Sequence, residues 1–324
     1  MTRVFVVGMP RSGTTWVGRI LAAALGTELV DEPDNHFVSP YAYRVKRRLA
    51  QGSYPRLGAD DEAPGYGALW TRAFALDNEE PSLATRARRR VSRDLLQRTA
   101  PVHVTRALAG REQPRRALQV AEYLAVPEQP DDDTHAVVVK SVYGVLAAEW
   151  IDALCTPYVV VVLRNPLNVV SSWVELEWLV DDPLEPLAPR IQTELAARYG
   201  APDPAPGWSP LERAAWLAGA LTSVLAELDD VPGRRVHATH EMLARRGEAA
   251  FRGITTELGL EWDPRAAKLL ADLDRPGRGF ETTRVRSDLE EAWRTRLSTE
   301  QVREARSILD AFPAGRRWPI REER

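Results

Sequence analysis

An apolar run, Val4-Phe5-Val6-Val7, leads directly into Gly8-Met9-Pro10-Arg11-Ser12-Gly13-Thr14-Thr15-Trp16. An amphipathic run from Val17 to Leu25 follows and stops at Gly26. The order reads as a buried strand, a glycine-bounded turn and a helix. No other stretch constrains the fold as much, because a strand passing straight into a helix points to a βα unit and a sheet covered by helices. Such a turn also aims backbone N–H groups and the positive end of a helix dipole at one point. That point suits a phosphate.

The rest of the chain repeats the pattern. Ala136–Lys140 and Tyr158–Leu163 read as buried strands like Arg3–Gly8, Arg234–Ala238 as a weaker one, and Thr27–Val30 as a further short one. Helical patterns follow them at Thr14–Leu25, Val145–Leu154, Pro166–Val180 and His240–Gly259. Strands alternating with helices predict right-handed βαβ units and a parallel sheet covered on both faces. From about residue 35 to 130 the strand signal is missing. Helical patches at Tyr41–Leu49, Ala68–Ala75, Leu83–Thr99 and Arg115–Leu124 predict a helical insertion lying over the sheet of a single domain spanning 1–324. Pro202–Pro210 breaks the pattern before a long helix, Leu211–Leu228. The arginine run Arg86–Arg90 reads as a solvated helix face, or as a means of holding an anionic acceptor.

Composition narrows the function classes. A chain of 324 residues can bury a sizeable core. Its net charge of -3 gives no electrostatic reason to expect nucleic acid. Cys155 is the single cysteine, so neither an intrachain disulfide nor a cysteine metal cage can form. No apolar run approaches the ~20 residues of a membrane span, and the opening strand lacks the flanks of a signal peptide. The expected setting is a reducing cytoplasm. Lysines are confined to Lys46, Lys140 and Lys268.

The spacing Gly8–x4–Gly13 matches the loop that binds nucleoside triphosphates, but Thr14 stands where those loops carry lysine. Pro10-Arg11-Ser12-Gly13-Thr14-Thr15-Trp16 instead resembles the 5′-phosphosulfate loop of sulfotransferases that use 3′-phosphoadenosine 5′-phosphosulfate (PAPS). A second stretch carries the same resemblance. Arg164 ends the strand Tyr158–Leu163, and Ser172 stands eight residues later on the next helix. In that family an arginine and a serine so spaced grip the 3′-phosphate. The resemblance covers residues 3 to about 180 and resumes near His240–Trp262, leaving the acceptor region uncovered. It implies a three-layer α/β fold of the P-loop type, with Arg11, Ser12, Gly13, Thr14, Thr15, Trp16, Arg164, Ser172 and His240 as donor contacts. Trp16 either stacks on adenine, as in the cytosolic enzymes, or is core. His240 falls where those enzymes often have a tyrosine against adenine.

The resemblance also implies the chemistry. Sulfuryl transfer needs alignment of nucleophile and leaving group, and neutralisation of charge on the oxygens. The leaving group is a phosphate ester, so no metal is required. Arg11 and the loop amides supply positive potential. Lys140, at the end of Val137-Val138-Val139-Lys140-Ser141, resembles the family's catalytic lysine. Cytosolic members place a base histidine two residues after that lysine, where this chain has Val142. The base is therefore expected to be Glu32, as in the tyrosylprotein and several bacterial enzymes, with His36 the runner-up. Arg284 and Arg286 are named as C-terminal donor contacts. The expected acceptor is a hydroxyl, ahead of an amine, on a small molecule, glycan or lipid. A kinase or NTPase lacks its loop lysine here, and a module that only binds PAPS would have no use for a base.

Overall fold

The structure is a computed structural model of the chain, and it describes residues 1–76, 82–99, 101–110, 112–127, 135–179, 182–276 and 290–318. In order, the elements are β1 (Thr2–Val7), α1 (Thr14–Ala24), β2 (Leu29–Asp31), α2 (Pro40–Leu49), α3 (Pro64–Ala73), α4 (Leu83–Gln97), α5 (Pro101–Leu108), α6 (Arg116–Leu124), β3 (Ala136–Ser141), α7 (Ala148–Cys155), β4 (Tyr158–Leu163) and α8 (Pro166–Glu175). There follow α9 (Pro189–Tyr199), α10 (Pro210–Ala226), β5 (Arg235–Thr239), α11 (His240–Arg246), α12 (Glu248–Glu257), α13 (Pro264–Leu273), α14 (Trp293–Arg296), α15 (Thr299–Leu309) and α16 (Pro313–Arg317).

The fold is mixed α/β, with helices flanking a five-stranded sheet of order β2-β3-β1-β4-β5. β3 pairs in parallel with both β1 and β2. Val4 to Val7 of β1, all of β3 and Val159 to Leu163 of β4 are buried. Continuous apolar strands of this kind need cover on both faces. In register, Lys140 lies opposite Val6 on one side and Asp31 on the other. Lys140 therefore sits at the carboxyl edge of the sheet. In parallel α/β sheets that edge is where ligands bind.

Contacts divide the chain into two compact units. The first comprises Met1–Val7, Gly26–Val159 and Glu185–Ala188. The second comprises Gly8–Leu25, Val160–Leu184 and Pro189–Arg324. In the first, α3 covers β1 through Phe5, whose ring meets Trp70 and Phe74 edge-on at 5.5 and 6.0 Å. The helical insertion is present as α2 to α6. It has a small core of its own, in which Tyr43, Leu96, Val104, Leu108 and Leu118 pack together. In the second, α1 buries Trp16, Val17, Ile20, Leu21 and Ala24, an i, i+3, i+4 stripe.

Three expected helices differ in detail. Val145–Ala147 is a 3₁₀ turn ahead of α7. The expected helix His240–Gly259 is two helices, because Gly247 (φ 54°, ψ −131°) ends α11 and starts α12. α8 stops at Glu175, after which Glu177 turns left-handed at φ 56°.

Candidate active site

In the second unit, the loop from Gly8 to Thr15 is built for close approach. A Cβ on Gly8 would collide with Ser12 Oγ, Thr14 Cγ2 and the Val162 carbonyl. One on Gly13 (φ 95°) would run into the His240 ring. Arg11 itself is left-handed at φ 69°, a conformation that costs a residue with a side chain. The Ser12 N–H closes the turn on the Met9 carbonyl at 3.1 Å. α1 then starts from Gly13 with no side-chain cap and no acidic residue in its first turn. Several other helices here are capped by side chains, among them those of Ser39, Asn165, Ser209 and Ser298. The bare start of α1 leaves amide donors for an external anion. Ser12 Oγ is buried beside it with no hydrogen-bond partner among the described residues.

Around this loop the structure brings together several predicted donor contacts. The Arg164 guanidinium donates to the Arg11 carbonyl at 2.7 Å. Arg11 Nε donates to Ser172 Oγ at 3.0 Å. Arg164 and Ser172 are both buried, and they reach Arg11 because β4 delivers Arg164 at its end and α8 carries Ser172. Trp16 meets His240 edge-on at 5.5 Å and Phe251 at 5.2 Å, so its ring is part of the core around the loop. Burial, and next the charge of Arg164, hold the His240 pKa well below the usual histidine value, so this imidazole is neutral. Glu241 has a part here that its sequence pattern did not signal. Its Oε1 accepts the Asn165 N–H at 2.9 Å and the Asn168 amide at 3.2 Å, bracing the junction just after Arg164. Arg284 and Arg286 lie outside the described residues.

In the first unit, Glu32 and Lys140 meet at the ends of β2 and β3. The Lys140 ammonium pairs with Glu32 Oε1, and at 3.0 Å with Asp31 Oδ1. The Glu32 N–H donates to the Lys140 carbonyl at 2.7 Å, extending the ladder by one residue before the chain turns at φ 52°. Asn35 closes that turn: its N–H donates to the Glu32 carbonyl at 2.9 Å and its side-chain amide to Glu32 Oε2 at 2.7 Å. Both carboxylate oxygens thus have a fixed donor, while a fifth of the side chain stays open to solvent. Lys140 is nearly sealed.

His36, the runner-up base, is placed differently. It has no exposed surface. Its Nε2 lies 3.3 Å from Ser53 Oγ, and its ring packs on Phe37 at 4.1 Å and Tyr143 at 5.3 Å. Burial, then the charge of Lys46, pushes its pKa well down. The His36 imidazole is closed off from solvent, whereas part of the Glu32 side chain is exposed.

Among the described residues, no cluster of three or more His, Cys, Asp or Glu side chains is arranged to hold a metal ion, and no helix is long and apolar enough to cross a membrane.

Comparison with known protein families matches residues 3–264 to a family model described as the sulfotransferase family. The match runs through the helical insertion, which the two motifs left uncovered. Three solved structures are similar over most of this chain. The sulfotransferase domain from the curacin biosynthetic pathway is 16% identical, covers 94% of this chain and 96% of its own, and has a TM-score of 0.42. The sulfotransferase domain of the Synechococcus olefin synthase is 16% identical over 95% and 94%, with a TM-score of 0.43. A sulfotransferase from Mycobacterium avium is 14% identical over 96% and 76%, with a TM-score of 0.38. No curated protein matches significantly.

Proposed function

The chain belongs to the sulfotransferase family, and on that premise we propose that it moves a sulfuryl group from PAPS to a hydroxyl by in-line displacement, with Glu32 as general base. The observation that carries the reading is the joining of Arg11, Arg164 and Ser172 beside the uncapped start of α1. Two guanidinium groups, a bare helix N-terminus and the orphaned Ser12 hydroxyl suit a ligand with several negative oxygens. That chemistry fits PAPS, which supplies an activated sulfuryl group on a phosphate leaving group.

In this reading the amides at the start of α1 and Ser12 hold the 5′-phosphosulfate, and Arg164 and Ser172 hold the 3′-phosphate. Trp16 and His240 bound the adenine side. Glu32 takes the acceptor's hydroxyl proton on a carboxylate oxygen as the new O–S bond forms and the bond from sulfur to the phosphate oxygen breaks. Lys140 holds Glu32 in orientation. When Glu32 becomes neutral, its grip on the ammonium weakens, which makes that charge available as negative charge builds on the departing oxygen. The acceptor is a small-molecule, glycan or lipid hydroxyl, and the protein is cytoplasmic.

The test is a mass-spectrometric screen of hydroxyl-bearing acceptors with PAPS. One sulfuryl group should be gained per acceptor, with adenosine 3′,5′-bisphosphate (PAP) as the other product. Phosphorylation of the same acceptors from Mg-ATP, with no product from PAPS, would overturn the reading.

A further inference from the structure

Behind the Glu32 turn lies a polar knot sealed within the first unit. Lys46 is fully buried, and its ammonium is 3.3 Å from Asp34 Oδ2, itself fully buried. Lys46 also donates to the Ser53 carbonyl at 2.9 Å and sits 4.6 Å from the centroid of the Tyr143 ring. Asp34 accepts the Tyr66 hydroxyl at 3.0 Å and the Ser141 hydroxyl at 2.6 Å. Ser141 Oγ in turn accepts the N–H groups of Tyr143 and Gly144 at 3.0 and 2.9 Å. Hence every member of the knot is hydrogen-bonded.

A buried ion pair is weak evidence for stability, because desolvation of both charges offsets their attraction. The attachments of this pair point to another use. Asp34 stands two residues after Glu32, and Ser141 is the residue after Lys140. The Asp34–Ser141 bond therefore ties the turn carrying the base to the strand carrying the cation. Without an ammonium beside it, a carboxyl group this deep would take up a proton and lose its charge-assisted bonds.

We propose that Lys46, acting through Asp34, is a positioning residue that holds the Glu32 carboxylate and the Lys140 ammonium in register. The inference rests on Glu32 being the base. Asp34 is faced by Lys46 and Tyr66 directly, while Glu32, Tyr54 and Tyr143 lie within electrostatic reach and His36 borders Lys46. The three tyrosines are held neutral by burial, and His36 likewise. In a Lys46 variant, Asp34 is thus left buried with its ammonium partner removed.

The lysine content supplies a readout independent of turnover. With lysines only at 46, 140 and 268, protein carrying ¹³Cε-lysine gives one resonance for each. In Lys46→Met the Lys140 signal should shift away from its wild-type position, because the Asp34–Ser141 tie next to Lys140 loses its support. PAP formation from PAPS, with water as the acceptor, should fall at least tenfold in Lys46→Met, while PAP affinity stays within twofold. If Lys46→Met does not fold, the double variant with Asp34→Asn, which leaves neither charge of the Lys46–Asp34 pair, carries the test. It too should show a displaced Lys140 signal and at least a tenfold slower rate. A wild-type Lys140 signal and rate in either variant would overturn the inference. Should Glu32→Gln form PAP as fast as wild type, the base reading itself fails, and with it the premise of this inference. A slow Glu32→Gln beside a wild-type Lys46→Met would sink the positioning role alone.

Discussion

Glu32 is distinguished from the other carboxylates of the turn by what holds it. Lys140 and Asn35 each donate to one of its oxygens, and part of the side chain remains in solvent. Asp31 shares Lys140 but is half exposed, and Asp34 is sealed away. Replacing Glu32 with Gln keeps the size and removes the proton acceptor. Turnover should fall by about 10²–10⁴-fold, the usual contribution of a general base, with PAP affinity measured by calorimetry within twofold of wild type. A variant that turns over normally would remove Glu32 from the reaction. Glu32 and Lys140 were singled out by the family resemblance, and the structure pairs them at the ends of β2 and β3. Asn35 was not legible, because its role depends on a left-handed turn at Glu32 rather than on a residue pattern. The burial of His36 was equally invisible. Its closeness in sequence to Glu32 suggested access, whereas Phe37 and Tyr143 pack against the ring.

Between strand and helix, the decisive element is the turn from Gly8 to Thr15. Gly13 carries both its positive φ and the close approach of His240, so a methyl group there is strained and collides with a ring. Gly13→Ala should cost about 1–3 kcal/mol of stability, the usual range for a forced backbone conformation. It should also weaken PAP binding at least tenfold by displacing the start of α1. Unchanged affinity, alongside an unchanged denaturation midpoint, would show that the turn tolerates a side chain and is not a tight cradle. Arg164→Ala should also weaken PAP binding by tenfold or more, because it removes a guanidinium from the site and the bond that ties the loop at the Arg11 carbonyl. The strands were readable to within a residue or two, because buried parallel strands are short, apolar and β-branched. Helices α9 and α13 were not, although each opens on a proline at its first turn. Each buries only a few residues, so little of either helix marks it as core. The single helix expected from His240 to Gly259 failed at Gly247, where apolar spacing continues across a break in the backbone.

For the whole molecule, pH is the simplest lever. His36 and His240 are both held well below the ordinary histidine pKa of 6.5, chiefly by burial. As pH falls through that value, the unfolded chain binds protons that the folded chain refuses. Their contribution is therefore fully present above pH 6.5 and is lost on acidification. Each histidine adds up to about 1.4 kcal/mol per pH unit to the slope. Urea denaturation at about pH 7.5 and about pH 5.5 should show the loss, and His36→Gln should reduce it. An identical loss in that variant would mean that His36 takes up protons in the folded state. The loop at the start of α1 makes the larger demand on the account, because its missing lysine separates a phosphosulfate site from a triphosphate site. Thermal unfolding with PAP and, separately, with Mg-ATP tests this most directly. At a hundredfold excess over Kd, a ligand specific to the folded state adds about 2.7 kcal/mol. PAP should raise the melting temperature, Arg164→Ala should lose that rise, and Mg-ATP should have no effect; stabilisation by Mg-ATP and none by PAP would contradict the account.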